Sequence, residues 1–321
     1  MKFKILPIAG DASFRKFYRI TLNNKKKILV FAQKEKYKNL IAYAAINEFL
    51  RKNNLYAPKI FSHNIKQGII IIEDFGNLSF YKILEKKKNK FKIYKQLIDL
   101  LIKIQKIKPK SNIKNLIGKS HKISKYSRKY LEEESSLFFE WYLPLILKKK
   151  KILKIKKKLK NELSNLYKKL YFHNKYFTHR DFHVENLMKF GKKIGIIDSQ
   201  DALIGHPAYD LVSLIDDVRI KTSVKLKNKI YNYYLKKNSQ IIGNNKVNFL
   251  EDFEILSIQR NLKIIGVFAR LYKRDKKDKY LKLIPYTWSL IEKRLKSHNF
   301  SRIKTILDEH VPKNFRKKII N

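Results

Sequence analysis

Three polar residues at fixed spacing carry the chemistry this chain can do: Asp181, Asn186 and Asp198. The first two lie in Thr178-His179-Arg180-Asp181-Phe182-His183-Val184-Glu185-Asn186, and the third ends Ile196-Ile197-Asp198. The pattern H-x-D-x-x-x-x-N, then an apolar run closed by Asp, suits phosphoryl transfer. That reaction passes through a loose transition state, so the protein mainly positions and neutralises. Asp181 would orient an acceptor hydroxyl and take its proton late. The Asn186 amide oxygen and the Asp198 carboxylate would hold Mg²⁺ against the phosphates of ATP. One such residue alone is ordinarily a turn former or a cap. The joint pattern, flanked by apolar strands, points to catalysis, and the gap between Asn186 and Asp198 fits one tight hairpin.

Other residues could complete or mimic such a site. His179 and His183 are four apart, but Arg180 stands where H-E-x-x-H needs Glu. They read as loop residues, His179 by hydrogen bonding and His183 by packing or by lining the acceptor. Gly10-Asp11-Ala12-Ser13-Phe14-Arg15 could bring backbone N–H groups to phosphates, although it lacks the G-x-x-x-x-G-K-[ST] of a P-loop. A cation on the phosphates is also needed. Lys34, paired with Glu48 on the next helix, is one candidate, and Arg15 or Arg19 could do the same work. Asp201 could be a metal-side carboxylate. Asp210 reads as a helix cap and Trp141 as core.

The elements that must position these residues follow from periodicity. Phe17 to Leu22 and Lys27 to Ala32 read as strands, with Asn23-Asn24 as their turn. Asn39 to Asn53 has a helical period and Ala57-Pro58 stops it. Lys59 to His63 and Gly68 to Ile72 read as a hairpin, and the run of Ile predicts a strand buried on both faces. After Glu73-Asp74-Phe75-Gly76 the chain turns mostly helical. Helices are expected in Phe80 to Leu84, Tyr94 to Ile107, Tyr126 to Leu147, Ile152 to Tyr171, Val224 to Leu235, Phe249 to Leu271 and Tyr280 to Leu295. One strand-rich island, Leu187 to Phe190 and Lys193 to Ile197, interrupts them. The expected class is α+β: a bilobal, protein-kinase-like fold with a small β-rich lobe, 1–74, and a larger mainly helical lobe, 75–321. The first would bind nucleotide and the second would hold the catalytic and acceptor-binding residues.

Composition sets outer bounds. The 321 residues are 44% hydrophobic and 13% aromatic, so the chain is globular. No cysteine is present, which excludes disulfides, thiolate metal sites and Cys nucleophiles. The formal charge of +47 suggests nucleic acid or an anionic membrane. Yet Lys far outnumbers Arg, whereas readers of nucleic acid favour the Arg fork. The charge therefore reads as a solvated surface, and the strongly basic Lys148 to Lys160 segment as a helix with a charged outer face. With no signal-like N-terminus and no run long enough to span a bilayer, a soluble, cytoplasmic protein is expected, as a monomer with small-molecule partners.

Together the motif residues resemble the aminoglycoside phosphotransferase and choline kinase superfamily. Several segments are similar to the bacterial N-acetylmuramate/N-acetylglucosamine 1-kinases. These are Gly10 to Arg19, Glu73-Asp74-Phe75-Gly76, Glu140-Trp141-Tyr142, His179 to His183, Asp198-Ser199-Gln200-Asp201-Ala202, Tyr209 to Leu214 and Gln259 to Leu271, in that order along nearly the whole chain. The resemblance implies a cytosolic kinase of cell-wall recycling, using ATP and Mg²⁺ on the anomeric hydroxyl of an N-acetylated amino sugar. It makes Asp181 the base, Asn186 and Asp198 the metal ligands, and Glu73 to Phe75 a hinge holding adenine by its backbone. Ser199 departs from the family's usual aromatic, and Phe31-Ala32-Gln33-Lys34 from its acidic, proline-rich segment. Kinases for choline, another amino alcohol or an aminoglycoside are the alternative, with Glu132, Glu133 and Glu134 as an acidic lining. A non-catalytic nucleotide- or nucleic-acid-binding module is the alternative of another class.

Overall fold

The computed structural model describes residues 4–8, 15–22, 25–33, 37–115 and 118–317. Gly10, Asp11, Ala12, Ser13, the Asn23-Asn24 turn and Lys34 lie outside them. The chain packs as two compact units, 1–125 with 175–204, and 126–174 with 205–321. The sheet, the Asp181 loop and the Asp198 hairpin all belong to the first.

In that unit a five-stranded antiparallel sheet runs in the order β1-β2-β3-β5-β4. Its strands are β1 (Lys4–Ile8), β2 (Lys16–Leu22), β3 (Lys25–Phe31), β4 (Ile60–Asn64) and β5 (Ile69–Glu73). Alternation decides which face is inside. Ile28, Val30, Ile70 and Ile72 point to one side and close a core with Leu40 and Tyr43 of α1 (Tyr37–Lys52). Ile69 and Ile71 are only half-buried, so β5 is covered fully on one face, not on both. Helix α1 ends before the proline expected to stop it. Asn54 adopts a left-handed φ of 59° and Leu55 N–H bonds the Leu50 carbonyl at 3.1 Å, because Asn tolerates the conformation that closes a helix.

The unit continues with α2 (Phe80–Lys86), α3 (Lys90–Gln105), β6 (Asn112–Lys114) and β7 (Ser120–Lys122). Ser79 caps α2 and Asn89 caps α3 through their side chains. The chain returns later with β8 (Tyr176–Thr178), β9 (Leu187–Phe190), β10 (Lys193–Ile196) and β11 (Leu203–Gly205). Strands β9 and β10 pair with each other, and β8 pairs with β11.

The second unit comprises α4 (Arg128–Leu137), α5 (Leu143–Ile146), α6 (Lys149–Lys168), α7 (Pro207–Ile215), α8 (Val224–Lys237), α9 (Ser239–Ile242), α10 (Lys246–Asp275), α11 (Ile284–Arg294), α12 (Ser301–His310) and α13 (Lys313–Lys317). The helix expected over Tyr126 to Leu147 is present as one contiguous helical run, 128–146, with a change of pitch inside it. A wide π turn, Phe138–Tyr142, separates α4 from α5. It lies close against α10: a Cβ on Gly266 would sit 2.3–2.6 Å from Leu137 and Phe138 main-chain atoms. In that turn Phe138, Phe139 and Tyr142 are buried and Trp141 is half-buried. Tyr142, not Trp141, is the core residue, accepting from Trp288 Nε1 at 3.0 Å.

Two further expectations change here. Asp210 does not cap α7. His206 does, its Nδ1 accepting from Ala208 N–H at 3.0 Å while Nε2 donates to Asp252 at 2.8 Å. Glu132, Glu133 and Glu134 do not line one pocket, since successive helical residues diverge. Glu132 accepts from Ser164, Glu133 is exposed, and Glu134 is buried among Tyr126, Tyr209, Gln259 and Lys263.

Candidate active site

The loop after β8 is built by its own hydrogen bonds. Arg180 takes a left-handed φ of 72°, which turns the chain at Asp181. His183 N–H then donates to the Asp181 carbonyl at 2.9 Å, and Asn186 N–H to the His183 carbonyl at 3.0 Å. The Asn186 side chain closes the same turn, with Nδ2 3.1 Å from the Asp181 carbonyl. His179 is 1% exposed and its Nε2 lies 3.1 Å from the Ile197 carbonyl. His183, also buried, places Nε2 3.3 Å from Asn186 Nδ2. The two rings thus have separate partners, and both shape the loop.

The hairpin brings the remaining residue to this loop. Gly191, at φ 56°, makes its turn, and the register pairs Leu187 with Ile196. At the open end Ile197 N–H donates to the Asn186 carbonyl at 3.0 Å. Asn186 and Asp198 therefore emerge from the same end of one hairpin. Asp198 has a left-handed φ of 64°, a conformation Asp tolerates better than bulkier residues. Asp201 is exposed in the following turn, its carboxylate accepting from Gln200 Nε2 at 2.9 Å.

The first strands supply a cation. Arg15, just before β2, is 4% exposed and places Nη2 2.5 Å from Asp198 Oδ1. Its guanidinium lies 4.8 Å from the Tyr43 ring centroid and 5.5 Å from that of Phe17. Helix α1 supports the next residue too, because Ser199 Oγ donates to Asn47 Oδ1 at 2.8 Å with both side chains fully buried. Ser199 is thus packed by a hydrogen bond. Burial pushes the Tyr43 hydroxyl up, against the pull of Arg15 and the Asn47 hydrogen bond. Sequence reasoning overlooked Tyr43 and Asn47. A polar Asn four residues after Tyr43, in the apolar stretch Leu40 to Phe49, was the available signal. Glu48, expected to pair with Lys34, is half-buried one position away.

Beside the hairpin lies Glu73 to Gly76. Glu73 accepts from Lys59 N–H at 3.2 Å and from Arg51 at 3.4 Å. Asp74 takes a two-pronged bond from Arg19, 2.5 and 2.8 Å, and one from Gly76 N–H at 2.8 Å. Phe75 packs on Phe190 with centroids 4.9 Å apart, and fills the space beside Gly195 of β10. Both acidic side chains are therefore committed, and so is the Glu73 N–H, which donates to the Lys59 carbonyl at 2.9 Å.

The donors present fit a hard cation. Asn186 commits its amide nitrogen to the loop and keeps Oδ1 as an acceptor. The Asp198 side chain is 36% exposed. An amide and a carboxylate oxygen suit Mg²⁺, which demands oxygen ligands and keeps several waters.

An antiparallel sheet with one helix, a loop of H-x-D-x-x-x-x-N form and a hairpin ending in Asp define a kinase-like α+β protein of two lobes. The chain belongs to the phosphotransferase enzyme family, whose profile matches residues 4–240. It is 27% identical over 289 residues to the N-acetylmuramate/N-acetylglucosamine kinase of Neisseria meningitidis serogroup B, covering 88% of this chain and 83% of that one. It is 25% identical over 292 residues to the enzyme of that name from Pseudomonas aeruginosa, covering 90% and 83%. Among solved structures it resembles the choline kinase LicA from Streptococcus pneumoniae, with a TM-score of 0.59, 15% identity, and 91% and 92% of the two chains covered. The protein is accordingly an enzyme that transfers a phosphoryl group to an alcohol. Among the described residues no helix is long and apolar enough to cross a membrane.

Proposed function

We propose that this enzyme uses ATP and Mg²⁺ to phosphorylate the anomeric hydroxyl of N-acetylmuramate or N-acetylglucosamine, in the cytoplasm, as a monomer serving cell-wall recycling. The observation that carries the catalytic reading is the convergence of Asp181, Asn186 and Asp198 at one hairpin end, with buried Arg15 against Asp198. Asp181 orients the acceptor hydroxyl and accepts its proton as the acceptor oxygen bonds the γ-phosphorus of ATP and the bond from that phosphorus to the β–γ bridging oxygen breaks, with ADP as the leaving group. Asn186 Oδ1 and the Asp198 carboxylate would hold Mg²⁺, which when bound would neutralise phosphate charge. Arg15 supplies the cation that meets the phosphates. The main chain at Glu73 to Phe75 holds the adenine, its side chains being tied to Arg51, Lys59 and Arg19. In this division of labour residues 1–74 bind nucleotide and 75–321 carry catalysis and the acceptor.

The sugar assignment is supported by the two relatives' shared name and by their coverage of most of this chain. A cationic acceptor such as choline has less support, because Glu134 is already paired with Lys263 at 2.8 Å. The test is a coupled ADP-release assay across N-acetylmuramate, N-acetylglucosamine, choline and an aminoglycoside, with NMR of the product. Turnover with an amino sugar and phosphate on the anomeric carbon are expected. Phosphate on a primary hydroxyl would overturn the 1-kinase reading.

A further inference from the structure

The pairing of Arg15 with Asp198 is unequal in a way that bears on metal binding. The cation is interior, 4% exposed, while the carboxylate it meets is 36% exposed on its side chain. An arginine cannot discard its charge, so Asp198 carries a permanent positive neighbour. That neighbour is held in place. Tyr43 and Phe17 flank the guanidinium, and Asn47, one turn along α1 from Tyr43, bonds Ser199, the residue after Asp198. Two contacts from one face of α1 therefore fix the cation and the backbone that presents the carboxylate.

A divalent cation arriving alone at Asp198 meets a fixed positive charge on Oδ1. It must displace that hydrogen bond or bind beside it, and both weaken its hold. A polyphosphate changes the balance. Its anionic oxygens bring the metal and at the same time give the guanidinium a further anionic partner with matching fork geometry.

Resting on the phosphotransferase reading, we propose that Arg15 makes metal binding at Asp198 conditional on the nucleotide. It discriminates against the bare ion and favours the metal–nucleotide complex. On this view α1 is the support that keeps Arg15 in register with Asp198.

The proposal separates two affinities that a merely structural arginine would move together. Free Mn²⁺ is titrated into nucleotide-free enzyme, read by the paramagnetic resonance signal of unbound ion, and Mg²⁺ with a non-hydrolysable ATP analogue is titrated by calorimetry. In Arg15→Gln, bare Mn²⁺ should bind about tenfold tighter, as loss of a close like charge requires. The metal–nucleotide complex should bind about tenfold weaker, and Arg15→Lys, which keeps the charge, should stay near the parent for bare Mn²⁺. Unchanged or weaker Mn²⁺ binding in folded Arg15→Gln overturns the proposal. Should that variant not fold, the parent decides: its Mn²⁺ affinity must be at least about a hundredfold lower without nucleotide than with it, and equal affinities overturn the proposal. A parent that binds no metal–nucleotide complex overturns the phosphotransferase reading itself, a separable result.

Discussion

Gly195 is the position where a single methyl group should disturb both stability and nucleotide binding. A Cβ there would lie 2.5 Å from Phe75 Cδ2 and 2.6 Å from Cε2. Ordinary carbon contacts begin near 3.5 Å, so the ring must recede by roughly 1 Å. It has little room, being 6% exposed and backed by Phe190 with centroids 4.9 Å apart. Overpacking of this kind costs about 1–3 kcal/mol. Replacing Gly by Ala within a strand returns about 0.5–1 kcal/mol. The net expectation for Gly195→Ala is about 0–2.5 kcal/mol of destabilisation, centred near 1 kcal/mol and read as a fall in melting temperature of about 3 °C. Because Phe75 sits in the segment proposed to hold adenine, the KM for ATP should rise several-fold while kcat changes less. The cause can be isolated by repeating the substitution in a Phe75→Leu background, where the smaller side chain makes room. There Gly195→Ala should be neutral or stabilising, a coupling of about 1 kcal/mol or more. An equal loss in both backgrounds, or a raised melting temperature in the parent, would refute the contact.

Gly266→Ala meets main chain instead of a side chain, 2.3 Å from the Leu137 carbonyl carbon and 2.5 Å from its oxygen. It should cost about 2 kcal/mol or more even after the helix-propensity gain of about 1 kcal/mol, and an unchanged melting temperature would count against the close crossing of α10 and α4. The buried Asp216 carboxylate bonds Lys227 at 2.9 Å, Arg294 at 3.0 Å and Ser257 at 2.7 Å. Burial alone would raise its pKa, but Lys227, Arg294 and Ser257 together hold it below the ordinary 3.8. A depressed folded value gives stability that is present above the unfolded pKa and lost as pH falls through the folded one. Asp216→Asn should therefore cost about 3–5 kcal/mol near neutrality and flatten the acid-unfolding curve below about pH 4. The same acid slope in parent and variant would contradict the assignment.

How much was legible in the sequence depended on whether local chemistry or distant packing decided each element. The Asp198 hairpin could be read because apolar strands flank Gly191, and its register followed from that turn. Strand β5 read as doubly buried because four Ile in a row hide alternation, which only the sheet's single covered face resolves. The π turn at Phe138–Tyr142 was invisible locally, and Gly266, which packs against its first residues, lies far along the chain. Asp181, Asn186 and Asp198 stood out by spacing. Arg15 was one candidate cation among several, and its choice of Asp198 is a tertiary fact. Tyr43 and Asn47 were missed because a helical period explains them equally well as core.

The most direct test of the catalytic claim is acceptor-dependent ADP release by the parent and by Asp181→Asn. The substitution keeps the side chain's size and removes the base. With saturating ATP, Mg²⁺ and N-acetylmuramate or N-acetylglucosamine, kcat should fall by at least about a hundredfold, with nucleotide affinity and melting temperature near the parental values. Parental turnover in Asp181→Asn, or a parent that releases no ADP with either sugar, would contradict the account.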